Sequence, residues 1–474
     1  MKIIRFLKTD VKIINSYFLL AIILIILISV GYSSYALFSF TKTSNNIIEL
    51  TVGKVKISLD KSGANAPVLV SNMIPVYYDE TNEVWKKADE SNKNEQYPWY
   101  SYNSSGEYKG MWANAVTVTS TNRTKYLNAE PGTIIPMDDI NTMWVWIPRF
   151  NAVTPSNYNG GTKEAPNAID VTFVKENETA IDVFNFGTKS LSGFWYAKFE
   201  TSHTTLASST TSNNLGCTNE TCSNANGIII KPNVISLRRN NVSNFFFASR
   251  SMEQTGNNFG FVSNEVDTHM SKNNEWGAVA YLTQSIYGRC TSSTSCTEVG
   301  INNNSSYITG YGAPAGSDTS VTNGAYNTIL GKDASTTGTI YGIYDMSGGA
   351  YEHVMGVFAD SNGNPMSGYM PIFMYHSGFT GMLSNGTTYT GVSFPDSKYY
   401  NLYTSDEAYT GHALTETKNW YSDNASFVYF NNPWFTRGGY YDHKTYNDAG
   451  VFSFVSTYGN DSSNVGLRLV ITNE

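Results

Sequence analysis

The sequence predicts an α+β fold of irregular, loop-rich β structure with few helices. One N-terminal membrane-spanning helix and a small β-rich stalk precede it. Three observations carry this expectation. An unbroken apolar run lies near the N-terminus, only two stretches show helical spacing, and the rest is short segments broken by Gly, Asn-Gly and Pro. The chain of 474 residues is long enough for two to four domains, or one large domain with extras. Charged residues make up 15%, against about 25% in an average soluble protein. Aromatics reach 14%, with 33 Tyr, which is enough to bury a core and argues against disorder. Lys+Arg is 31 and Asp+Glu is 39, a net charge of −8. That balance argues against a nucleic-acid partner, because phosphate binding needs a basic field.

The N-terminus comes first. Lys2, Arg5, Lys8 and Lys12 precede an apolar run from Tyr17 to Phe38, and Phe18 to Ile28 holds no polar side chain. Residues 17–38 are long enough to cross a bilayer as one helix. The basic flank favours an inside N-terminus and an outside remainder. A cleaved signal peptide is the competing reading, with Ser34 and Ala36 as small residues before a cut. Both readings export everything after about residue 40, anchored at the cell membrane or secreted.

Residues 1–40 are therefore read as the anchor or signal segment. Residues 41–140 are read as the β-rich stalk, with strand-like alternation at Ile48 to Leu59 and Ala115 to Thr119. The run Met143-Trp144-Val145-Trp146-Ile147-Pro148 reads as a buried strand opening the last domain, 141–474. Cys217 and Cys222 enclose four residues, and Cys290 and Cys296 enclose five, all small or polar. Neither pair has a nearby His or zinc-ligand spacing, so two local disulfides are expected, as suits an oxidising compartment. Ser243 starts one helix candidate. Asn274 caps a second, with Trp276, Val279, Leu282 and Ile286 on helical spacing and Gly288 as a stop.

Segments in this last region resemble one family. Asn274-Glu275-Trp276-Gly277-Ala278 is similar to its "E-W" helix. Tyr341 to Glu352 (YGIYDMSGGAYE) resembles its "G-L-Y-D-M-S-G-N-V-W-E" segment. Arg437-Gly438-Gly439 and Gly466-Leu467-Arg468 resemble its "R-G-G" and terminal "G-F-R". The order matches the formylglycine-generating enzyme (sulfatase-modifying factor) domain, which implies a C-type-lectin-like fold. The Gly-Gly pair allows a tight bend, and Arg468 suits a hydrogen-bonding fork among loops. The family's oxidation needs two thiolates soon after "R-G-G". Here those positions are Asp442 and Asn447, and no cysteine follows Cys296. The resemblance therefore implies a non-catalytic branch. No cofactor is expected.

No metal is expected either. A family calcium ligand is replaced by Gly349. Asp360-Ser361-Asn362-Gly363-Asn364 is read as an Asn-Gly turn, since Pro365 follows and no Glu closes a calcium loop. The chain holds no His-Glu-x-x-His, phosphate loop or Gly-x-Ser-x-Gly elbow. Glu352-His353, an adjacent acid–His pair, is read as structural. Near the N-terminus, Tyr35 to Ser39, Asn45-Asn46 and Gly53-Lys54-Val55 resemble exported bacterial matrix proteins of the camelysin type.

The C-terminal segment alternates a frame with polar and aromatic inserts. The expected ligand contacts are Trp434, Arg437, Tyr440, Tyr441, Asp442, His443, Tyr446 and Asn447, then Tyr458, Asn460, Asp461, Ser463 and Asn464. Tyr gives large amphipathic contact at low entropy cost, while Asn, Ser and Asp give adaptable hydrogen bonds. This set resembles the variable proteins of diversity-generating retroelements, whose adenine-rich codons yield these residues. The same composition also suits a fixed binding surface. The expected function is binding of an extracellular protein or carbohydrate. The alternatives are a divergent enzyme of the family and a phage receptor-binding protein, against which the apolar N-terminus argues.

Overall fold

The computed structural model describes residues 58–206, 215–317, 324–370, 372–442 and 449–473, with two strands before them. Those strands, Phe38–Lys42 and Ile48–Val52, pair antiparallel with Phe38 opposite Val52. They belong to a unit ending at Ser58. The apolar run up to residue 37 lies outside the described residues, and among the described ones no helix is long and apolar enough to cross a membrane.

The second unit spans Leu59–Glu474 and is built on two larger sheets, with several two-stranded pairs beside them. Strand accounts for 28% and helix for 14%, so the β-dominated, loop-rich reading holds. The larger sheet has seven strands. In chain order they are β1 (Ile74–Asp79), β2 (Val84–Lys87), β3 (Asn114–Val118), β4 (Ile140–Pro148), β5 (Gly193–Ala197), β6 (Val266–Met270) and, at the C-terminus, β12 (Leu469–Asn473). Their spatial order is β6-β12-β5-β4-β3-β1-β2, antiparallel throughout. β4 is the buried strand its Trp-Val-Trp sequence predicts, with Trp146 edge-on to Trp195 at 5.3 Å. It does not open a domain. Ala115 of β3 faces Trp144 on one edge of β4, and Ala197 of β5 faces the same residue on the other. The expected stalk at 41–140 is thereby corrected: residues 59–140 are built into the main unit. A buried strand needs its backbone N–H and C=O groups paired along both edges, and β3 supplies one of those edges.

The smaller sheet is built on β7 (Tyr351–Phe358), which begins with the last two residues of the family-like segment. β9 (Trp434–Arg437) pairs it antiparallel on one edge. β11 (Val465–Leu467) and β8 (Asn401–Tyr403) pair it parallel, at its start and its end. β10 (Phe454–Thr457) covers β9.

Two helices pack nearby. α1 (Val242–Arg250) is capped by Asn241, whose side chain accepts the Asn244 N–H at 3.0 Å. α2 (Asn273–Thr283) is capped at Lys272, two residues before the expected cap Asn274, and the Glu275 carboxylate accepts the Lys272 N–H at 2.8 Å. All eleven of its residues are buried, so it is a core helix without a wet face. Cys217 pairs with Cys222, and Cys290 with Cys296, as expected; the second bridge closes a two-stranded hairpin. The Asp360–Asn364 segment is a turn in which Asp360 Oδ1 accepts the N–H groups of Asn362 and Asn364, each at 2.8 Å.

Candidate functional site

The frame of the C-terminal surface is β9. Alternate residues of a central strand face into the core on both sides, and both expected ligand contacts on β9 are fully buried. Trp434 donates its indole N–H to the Ser367 carbonyl at 3.1 Å and stacks on Phe394 at 6.0 Å. Arg437 donates to the Ala413 carbonyl at 2.8 Å and lies over the Trp276 ring at 5.5 Å. These two positions are corrected from ligand contacts to frame residues.

The chain then turns outward. Gly438 and Gly439 both have positive φ, 82° and 73°, and a Cβ on Gly439 would meet Ala449 at 2.5 Å. This is the tight bend expected after Arg437. Tyr440 and Tyr441 follow it half-buried, and Asp442 is exposed. The Tyr441 N–H donates to the Gly349 carbonyl at 2.9 Å. A continuous ring array results. Tyr351 stacks on Tyr440 at 5.3 Å, Tyr440 meets Tyr441 edge-on at 5.4 Å, and Tyr441 meets Tyr307 edge-on at 4.8 Å. The Arg238 guanidinium caps the array, 3.7 Å from the Tyr307 centroid. Burial pushes the Tyr307 phenol up to about 12, against the pull of Arg238.

A second array surrounds Tyr458. Tyr369 and Tyr375 stack on it at 5.1 and 5.3 Å, and Phe373 stacks on Tyr375 at 5.8 Å. Beyond this stack the tip is open: Ile372 is 94% and Phe373 71% exposed, with Met370 and Met374 beside them. The turn 458–464 joins the two arrays. Tyr458 stands at its start, and the Asn464 carbonyl at its end accepts the Tyr351 N–H at 2.9 Å. Between them, Asp461 and Ser463 are exposed, and Asn460 and Asn464 are half-buried. Asn464 accepts from the Ser462 hydroxyl at 2.6 Å. Thus Tyr440, Tyr441, Asp442, Tyr458, Asn460, Asp461, Ser463 and Asn464 share one connected surface. His443, Tyr446 and Asn447 lie outside the described residues.

Sequence reasoning missed Arg238, Tyr307, Tyr351, Tyr369, Phe373 and Tyr375. Most come from loops far away in the chain, so local composition does not mark them. One signal was present. Tyr369 to Tyr375 reads Tyr-Met-Pro-Ile-Phe-Met-Tyr, a run without charge or alternation, which suits neither an amphipathic helix nor a half-buried strand.

Beneath this surface lie buried ionic networks. Glu352 points to Arg468, while its neighbour His353 faces the Asn460 carbonyl at 3.2 Å and the Phe245 ring. The adjacent acid–His pair is therefore split between two structural roles. Glu200 accepts the Ala350 N–H at 2.7 Å and also meets the Ser236 hydroxyl. A Cβ at Gly349 would lie 2.3 Å from its Oε1, which explains glycine at that position. Burial, with Asp345 and Glu352 nearby, pushes the Glu200 carboxyl well above the usual range. A second network joins the sheet to α2. His269 contacts Asp267 at 2.8 Å and Glu275 at 2.9 Å, and Arg250 reaches Asp267 at 2.9 Å. Burial opposes the charged imidazole, but Glu275 and Asp267 raise His269 above its ordinary value.

Compared with known proteins, the chain matches no family model and no curated protein.

Proposed function

We propose that this chain is an exported bacterial surface protein, anchored through residues 17–38, that binds a protein ligand through its C-terminal loops. The observation that carries this reading is the pair of linked aromatic arrays, Tyr351-Tyr440-Tyr441-Tyr307 and Tyr369-Tyr458-Tyr375-Phe373. Partly exposed tyrosines held on a rigid frame supply contact area at little entropic cost. The exposed Phe373, Ile372, Met370 and Met374 favour a protein over a sugar at this surface. Aromatic and Met side chains are enriched at the centres of protein interfaces.

The finer assignment is a non-catalytic member of the formylglycine-generating enzyme type, with a C-type-lectin-like fold. The motif order supports it, as do the roles of its residues: the Gly438-Gly439 bend, the Arg468 fork and the buried α2 helix. Retroelement diversification of residues 440–464 is the further part of this reading. Its test is the coding sequence in many isolates. Changes should gather at adenine positions encoding Tyr440 to Asn464, while Trp434, Arg437, Gly438, Gly439 and Arg468 stay fixed. An imperfect template copy and a reverse transcriptase should lie nearby. Frozen codons without those neighbours would leave a surface of fixed specificity.

A further inference from the structure

A separate cavity of about 540 Å³ opens elsewhere on the main unit. That volume falls within the roughly 300–1,000 Å³ of small-molecule sites. Its walls come from five places in the chain: the turn after β3, the start of β4, and segments 203–205, 224–229 and 258–259. None of the described C-terminal loop residues lines it.

The chemistry of the walls is uniform. Four amides contribute, from Asn141, Asn224, Asn226 and Asn258. Hydroxyls come from Thr119, Ser120, Thr204 and Thr205. Among the described lining residues there is no Asp, Glu, Lys or Arg. The Arg123 guanidinium, which is not part of the lining, donates to the Asn258 carbonyl at 2.5 Å. His203 is held by both ring nitrogens, to Thr205 Oγ1 at 2.8 Å and the Asn224 carbonyl at 2.6 Å. Ile228 and Phe259 close an apolar floor, and Phe259 is braced by Phe261 at 5.9 Å.

An ionic ligand would find no countercharge here, and burying a charge without a partner is costly. The Asn224 and Asn258 amides already donate within the wall, to the Leu215 carbonyl at 2.8 Å and the Asn226 carbonyl at 2.9 Å, but a lipid or other apolar ligand would still strip water from the Asn141 and Asn226 amides and the Ser120 and Thr204 hydroxyls without replacing it. A peptide docking as an added strand would need a free backbone edge. The backbone at this wall is already paired. Ser202 and His203 face Ile229 and Ile228, Ser202 also bridges Ser236, and Ile230 bridges Thr142. Recognition must therefore pass through side-chain amides and hydroxyls over an apolar floor. Those groups match the hydroxyl rim and C–H face of a sugar ring. We infer that this cavity is a second binding site, taking a short neutral glycan and independent of the C-terminal loops.

The test uses the full chain in lipid nanodiscs and saturation-transfer NMR. The probes are maltose, lactose, mannobiose and chitobiose, with sialyllactose as the charged control. At least one neutral disaccharide should bind. Ser120→Trp and Asn226→Trp, which fill the cavity, should each weaken it at least tenfold. Tyr441→Ala should leave it unchanged. Ser120 is exposed in a turn, so its variant keeps the test valid if Asn226→Trp fails to fold. Absence of binding by every neutral probe at millimolar concentration overturns the inference. So does preference for sialyllactose, and so does loss of binding in Tyr441→Ala but not in Ser120→Trp. The last result would place sugar binding on the loop surface and revise the ligand class proposed there, without touching the loop surface itself.

Discussion

Glu352 and Arg468 form a buried bidentate ion pair at the junction of the two sheets. Arg468 Nε lies 2.9 Å from Glu352 Oε2, and its Nη2 reaches Oε1. The same guanidinium donates to the Ala197 carbonyl of β5 at 2.9 Å and the Tyr344 carbonyl at 3.0 Å. One side chain thus ties β7, which frames the aromatic surface, to the large sheet. Arginine suits this role because its planar fork serves several acceptors at once.

Breaking this pair should be expensive. Glu352→Gln leaves a buried guanidinium without its carboxylate, a loss of about 3–5 kcal/mol. Urea unfolding of the full chain measures it. The double variant Glu352→Leu/Arg468→Met should lose less than the sum of the two single variants. A Glu352→Gln loss below about 0.5 kcal/mol would contradict the structural role.

The buried carboxyls set a pH dependence. Burial pushes Glu253 up to about 7, against its arginine partner, and lifts Glu200 well above the usual range. A raised carboxyl binds its proton more tightly folded than unfolded. Its stabilisation is complete below the unfolded value of about 4.3 and is lost as pH rises through the folded one. His269, also raised, acts in the same direction above its ordinary value of about 6.5. Burial works against Asp267 too, but His269 and Arg250 hold it below the usual range, so its contribution is lost on acidification. The melting temperature should peak near about pH 5 and fall above 7. Glu200→Gln should flatten the alkaline fall. A melting temperature that climbs steadily to pH 8 would count against this balance.

Frame and loop residues should respond differently. Trp434→Ala empties a fully buried indole site and should cost about 3–5 kcal/mol. Tyr441→Ala, at the half-buried surface, should cost about 1 kcal/mol. Thermal unfolding of both variants gives the comparison, and equal losses would make Tyr441 a core residue.

The two disulfides close loops of five and six residues in sequence separation. In the chain-entropy model each contributes only about 2 kcal/mol. Reducing agent should therefore lower the unfolding midpoint without unfolding the protein. Collapse on reduction would give the bridges a far larger role than stapling loops.

Much of the frame was legible in the sequence. β4 declared itself by Trp-Val-Trp, α2 by its spacing, the disulfides by their short polar loops, and the bend by Gly438-Gly439. Each is a local signal. The domain boundary at 140 was misread because only the pairing of β3 with β4 reveals the single unit. Trp434 and Arg437 were misplaced because a residue type suited to ligand contact suits a strand core equally well. Tyr307, Tyr351 and Tyr369 were missed because only the folded chain brings them beside Tyr441 and Tyr458.

The central claim is that the C-terminal loops touch the ligand. Photoreactive residues placed at Tyr441 and Phe373 of the full chain, displayed on cells, test it most directly. Ile329, 89% exposed and outside both arrays, is the control position. One discrete protein adduct should form from Tyr441 and from Phe373, with the same partner in each, and none from Ile329. No adduct from either loop position, or equal capture at Ile329, would contradict the account.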